Sequence, residues 1–96
     1  MNLIQLVQNQ REQILEIALK NGARDVRVFG SVARGDDHQD SDIDFLVNLE
    51  TGRSLLDLAR FLRELQTLLG HKVDVVTEAG LRPRIRLQVL KEAKPI

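Results

Sequence analysis

Asp42 and Asp44 stand two residues apart, where a polar stretch gives way to the apolar run 43–47. Side chains alternate along a strand, so both carboxylates point to one face. Their repulsion and partial desolvation raise the energy of the ionised pair. A cation between them relieves that cost. Asp74 repeats the oddity, interrupting the apolar strand 73–76. A carboxylate buried there without a partner is costly, so Asp74 is expected to need one too. Three aspartate oxygens suit a hard divalent ion such as Mg²⁺, which fills its octahedron with water and substrate phosphates. In a two-ion version the metals clamp the attacking and leaving oxygens of a phosphoryl displacement. Alternatively, the third carboxylate orients or deprotonates the nucleophile. A lone strand aspartate is more often a turn cap or an ion-pair member, so the weight of this reading rests on a second motif.

That motif is Gly30-Ser31, directly after a short apolar strand, with Arg34-Gly35 three residues on. Glycine lets the backbone approach a phosphate closely. Successive N–H groups in such a turn form an anion-binding nest, and the serine hydroxyl adds a donor. Arg34 can offset phosphate charge or pair with a nearby carboxylate. The turn is not a Walker loop, because the GxxxxGK[ST] spacing and its lysine are missing.

The elements that must position these residues are legible in the apolar periodicity. Residues 3–20 carry Leu3, Leu6, Val7, Ile14, Leu15, Ala18 and Leu19 at helical spacing. Asn21-Gly22 stops that helix. Residues 26–29 read as a strand, 30–41 as a loop with room for one helical turn, and 43–47 as a strand buried on both faces. Ser54 is the expected N-cap of a helix burying Leu55, Leu58, Ala59, Leu62, Leu65 and Leu69, and Gly70 ends it. Residues 72–77 form a third strand, and the intervening helix is long enough to make it a parallel neighbour of 43–47. Residues 82–92 read as a last helix, with Pro83 in its first turn and Ile85, Val89 and Leu90 toward the core. The order predicts an α/β (α+β) domain with a small mixed central sheet of about three strands flanked by helices.

Composition sets the remaining bounds. The 96 residues fit one domain, 1–96, and 43% hydrophobic with 29% charged residues suits a packed core under a solvated surface. With no cysteine, disulfides, thiolate metal sites and cysteine nucleophiles are excluded. Zero net charge argues against bulk electrostatic capture of nucleic acid. No apolar run is long enough for a membrane span and no secretory signal is evident, so a cytoplasmic location is expected. His38, within the loop, and His71, just before a strand, read as solvated residues. Arg82, Arg84, Arg86, Lys91 and Lys94 make the last helix basic, which reads as a solvated face or as a docking surface.

Taken together, FGSVARG at 29–35, SDIDFLV at 41–47 and VDVV at 73–76 resemble the DNA polymerase β-like nucleotidyltransferase superfamily, and within it the minimal nucleotidyltransferase (MNT) domains. The resemblance spans residues 26–77. It implies that Gly30 and Ser31, with Arg34 in a less defined role, hold the nucleotide triphosphate. It implies that Asp42 and Asp44 bind Mg²⁺, two ions in all, and that Asp74 is the third carboxylate near the acceptor. It also implies a partner. Minimal members resemble antitoxins paired with a HEPN-type RNase toxin in a hetero-oligomer, to whose tyrosine they add AMP from ATP. Two other readings stand beside this one. One is an antitoxin that neutralises by binding alone. The other is a nucleotidyltransferase acting on a small molecule or RNA end, with the acceptor site on another chain.

Overall fold

A computed structural model describes residues 2–96. The chain opens on α1 (Leu3–Asn9), capped reciprocally: Asn2 Oδ1 accepts the Gln5 N–H at 2.9 Å, and Gln5 Oε1 accepts the Asn2 N–H. The periodicity of 3–20 predicts one helix, but α2 (Arg11–Lys20) is a separate one. Gln10, at φ −104° and ψ 15°, divides its N–H between the Leu6 and Val7 carbonyls and starts the second helix. No proline or glycine marks that break. At its far end Asn21 is fully buried, and its Nδ2 donates to the Ile17 carbonyl and to Glu64 Oε1.

Strand β1 (Ala23–Phe29) leads into the five-residue α3 (Gly30–Arg34), then β2 (Ile43–Leu49), α4 (Leu55–Leu69), β3 (Val73–Thr77), α5 (Pro83–Glu92) and β4 (Lys94–Pro95). The sheet order is β3-β2-β1-β4. β1 runs antiparallel to both β2 and β4, whereas β2 and β3 are parallel, joined by the α4 crossover. The fourth strand is two residues long and ends in proline, so it carries no strand pattern. β1 starts three residues before the apolar alternation does. Asp25, at φ +53°, makes a bulge there that breaks the register.

The sheet has two unlike faces. Val28, Ile43, Phe45, Val47, Val73 and Val75 point to the main core, which α1, α2 and α4 complete with Val7, Ile14, Ala18, Phe61, Leu65 and Leu69. The other face carries Asp44, Leu46 and Asn48 from β2 beside Asp74 and Val76 from β3. Leu46 and Val89 of α5 are buried but stand outside the main core, which places α5 against this second face. Among the described residues, no helix is long and apolar enough to cross a membrane.

Two expected helix faces need correction. Ser54 caps α4 in a reciprocal box with Asp57, as its position predicts, and Gly70 ends the helix in the left-handed conformation. Yet Leu55 is 80% exposed and Ala59 is exposed, while Phe61 is fully buried. The buried stripe is rotated by about one position, and the first turn overhangs the sheet. On α5, Val89 is buried as expected, but Ile85 is 47% exposed, because the start of that helix stands clear of the sheet. Leu65→Ala should therefore cost about 2–5 kcal/mol, whereas Leu55→Ala should stay within about 0.5 kcal/mol, as read from urea unfolding. Similar losses at the two positions would put Leu55 in the core after all.

Candidate functional site

The site begins where β1 ends. Val32 and Ala33 are buried and pin α3 to the core, which leaves Ser31 half-buried and Arg34 exposed. Gly30 sits at φ +72°, and a Cβ on it would run into Asp44 Oδ2. The position thus demands glycine twice, for its backbone angle and for the space Asp44 occupies. Gly35, at φ +80°, closes the turn with its N–H donated to the Ser31 carbonyl at 2.9 Å, and no atom crowds it.

The aspartates come together through strand register. Phe29 pairs with Asp44 across β1 and β2, and Asp44 pairs with Asp74 across β2 and β3. Asp44 and Asp74 therefore lie side by side on the second face, next to the Gly30 turn. Asp42 immediately precedes β2 and is exposed. Asp74 is exposed too. The expectation that it is buried and in need of a partner is thus corrected: the sheet is open on that side. Asp44 is half-buried, and its carboxyl is pushed up to about 6 from its ordinary 3.8, first by desolvation and then by the charges of Asp74 and Asp42.

Among the described residues, no three acidic or histidine side chains are gathered into a cage that could hold an ion. Asp44 and Asp74 share a face, and the charges of Asp74 and Asp42 both bear on Asp44. Their chemistry nevertheless fits a hard divalent cation. Asp44 is a half-buried, all-oxygen ligand beside the Asp74 carboxylate, and a bound cation would offset both the burial and the repulsion that push its carboxyl up.

The neighbouring groups are not as expected. His71 is not simply solvated: its Nε2 donates to the Ser41 carbonyl at 2.6 Å and so tethers the residue before Asp42 to the start of β3. His38 lies in a turn closed by its N–H donating to Ser41 Oγ and by the Asp40 N–H donating to its Nδ1. A cleft lined by Asn2, Asp37, His38 and His71 flanks this loop, and none of the three aspartates lines it. Arg34 pairs with carboxylates, as one reading allowed, but not with Asp42, Asp44 or Asp74. Its Nε donates to Asp36 Oδ2 at 3.2 Å, and its Nη1 to both oxygens of Glu92. Glu92 Oε1 also accepts the Gly30 N–H at 3.0 Å. Nothing in the sequence singles out Glu92, because its partners lie about sixty residues away and no local spacing encodes that contact.

Two outcomes follow. Because the fold raises the Asp44 pKa, its protonated form is favoured in the folded chain, and stability is lost as pH rises from 3.8 to about 6. Asp44→Asn should therefore stabilise the metal-free protein by about 1 kcal/mol at about pH 8, a figure discounted for solvent screening, and by nothing near pH 4. Thermal melts across pH decide this, and a mutant that melts below wild type at high pH sinks it. Gly30→Ala should destabilise more than Gly35→Ala. Both carry backbone strain of about 1–2 kcal/mol, but only Gly30 adds the collision with Asp44. Equal melting temperatures would contradict the crowding argument.

Comparison with known proteins follows the same lines. The family pattern described as a nucleotidyltransferase domain matches residues 11–96. The protein adenylyltransferase MntA of Thermococcus cleftensis is 40% identical over 77 residues, which is 80% of this chain and 78% of that protein. A solved structure described as a candidate minimal nucleotidyltransferase superposes with a TM-score of 0.88 at 52% identity, covering 100% of this chain and 97% of its own. A structure of a tri-AMPylated HEPN toxin of Shewanella oneidensis with an MNT antitoxin matches with a TM-score of 0.69 at 20% identity. That match covers 92% of this chain and 69% of the other, and at that identity what is shared is the fold.

Proposed function

The chain belongs to the nucleotidyltransferase domain family, and from that premise we propose that it moves AMP from ATP onto a hydroxyl of a partner protein in a Mg²⁺-dependent reaction. The observation that carries the reading is the register that sets Asp44 beside Asp74 next to the Gly30-Ser31 turn.

Asp42 and Asp44 would hold the metal. When bound, Mg²⁺ neutralises the charge that builds on the phosphate oxygens. The Ser31 N–H and hydroxyl would face the triphosphate, the Gly30 N–H being held by Glu92, and Arg34 supplies a positive charge at the end of the same turn. The acceptor oxygen attacks the α-phosphorus. The bond from that oxygen to phosphorus forms, the bond from the α-phosphorus to the bridging oxygen breaks, and pyrophosphate leaves. Asp74, exposed beside Asp44, is placed to orient the acceptor hydroxyl and take its proton. The open second face lets another macromolecule bring that hydroxyl in.

The acceptor we favour is a tyrosine of a HEPN-type toxin, which would make this chain its antitoxin within a hetero-complex. The named relative is a protein adenylyltransferase, and the Shewanella complex holds an AMPylated HEPN toxin. These 96 residues contain no tyrosine, which accords with an acceptor tyrosine in the partner. A partner that docks through its own interface supplies the positioning that makes transfer effectively intramolecular.

The experiment is incubation with ATP, Mg²⁺ and the HEPN-type product of the adjacent gene, followed by intact-mass spectrometry. The expected result is the mass of one or more AMP groups on the partner, abolished by Asp42→Asn and by EDTA. If the partner is silenced without added mass, and Asp42→Asn silences it equally, inhibition by binding alone takes the place of this reading.

A further inference from the structure

We infer that Glu92 is a positioning residue of the transfer site: from the last turn of α5 its carboxylate holds the Gly30-Ser31 turn in place and aims Arg34 at the phosphate. The inference rests on the proposed reading of that turn as the nucleotide site.

Glu92 makes two kinds of contact, and both lead to the site. Its Oε1 accepts the Gly30 N–H at 3.0 Å, and its two oxygens accept Arg34 Nη1 at 3.2 and 3.1 Å. An N–H at the start of a helix has no acceptor within that helix, so Glu92 satisfies a donor that α3 itself cannot. The Gly30 peptide is thereby wedged, with Asp44 Oδ2 filling the space of its missing Cβ and Glu92 holding its N–H. Glu92 thus fixes the turn relative to the aspartates.

The division of Arg34 is equally informative. A guanidinium has five N–H donors in a rigid fork. Glu92 engages Nη1 and Asp36 engages Nε. The side chain of Glu92 is only 17% exposed, whereas that of Asp36 is 63% exposed. An arriving phosphate can replace the solvated partner and leave the enclosed one. Glu92 then acts as the fixed hinge of the arginine and Asp36 as its exchangeable contact.

Anchoring α5 does not require this carboxylate. The helix has Pro83 in its first turn and buries Val89, Arg86 Nη1 donates to the Glu78 carbonyl at 2.6 Å, and β4 pairs with β1 directly afterwards. A peg for packing alone has no need of a negative charge against the turn that Asp44 crowds. A charge makes sense there if its task is to orient Arg34.

The test is calorimetric titration of Mg²⁺-ATP into wild type, Glu92→Gln and Glu92→Ala, with thermal melts of each, repeated in an Arg34→Ala background. The loss of charge-assisted bonds predicts roughly tenfold weaker ATP binding for Glu92→Ala. Glu92→Gln, which keeps an acceptor for Gly30, should lose only a few-fold. Without Arg34 the effect of Glu92→Ala should shrink, because part of it passes through the arginine. A lower melting temperature with unchanged ATP affinity would make Glu92 a structural peg and overturn the inference. Tighter ATP binding would overturn it too, since the carboxylate would then be competing with phosphate. If Glu92→Ala does not fold, Glu92→Gln decides, with weakened affinity at an unchanged melting temperature as support and unchanged affinity as refutation. Wild type that takes up no ATP would instead remove the nucleotide-site reading beneath the inference, an outcome distinct from all of these.

Discussion

The parallel register of β2 against β3 is the constraint on which the site depends. A strand alternates its faces with a period of two, so a slip of one residue would send Asp74 into the core and Val73 into solvent. The apolar residues Val73 and Val75, opposite Ile43 and Phe45, forbid that slip. The core on one face thus holds the carboxylates together on the other. The crossover α4 supports the arrangement by making the strands parallel, and its own burial through Phe61, Leu65 and Leu69 ties it to the same core. The carboxylates repel one another, and the packing behind them supplies the energy that keeps them adjacent.

Much of this was legible in the sequence. The apolar runs and the Ser54 and Gly70 signals mark the strands and the crossover helix that set Asp44 beside Asp74. Residues whose placement depends on local chemistry are readable in this way. What was not legible depends on contacts distant in the chain or on small angles. The break at Gln10 uses residues that suit a continuous helix. The rotation of the α4 stripe is a shift of phase that leucine-rich composition conceals, since leucines occupy both the buried and the exposed side. The bulge at Asp25 interrupts the alternation that would have announced the start of β1. Glu92 belongs to the site only because α5 folds back across the second face.

That second face explains a mistaken premise about Asp74. An apolar strand suggests burial on both sides, and Asp74 then looks like a charge in need of rescue. The fold instead leaves Asp74 exposed, although Leu46 on the same face is buried. Exposed Leu87, Arg82 and Arg84 lie along α5.

The buried corner at Asn21 has a different consequence, one that concerns ageing. Asparagine followed by glycine is the dipeptide in which the side-chain carbonyl is most easily attacked by the next backbone nitrogen, with loss of ammonia. In the folded chain Asn21 is fully enclosed, and its amide is committed to Ile17 and Glu64. The cyclisation must wait until the end of α2 opens, so its rate follows the frequency of that local opening. Each event leaves an acidic group facing Glu64, where the amide once donated. The corner then closes less well than before, so a single deamidation at this bond loosens the end of α2 permanently.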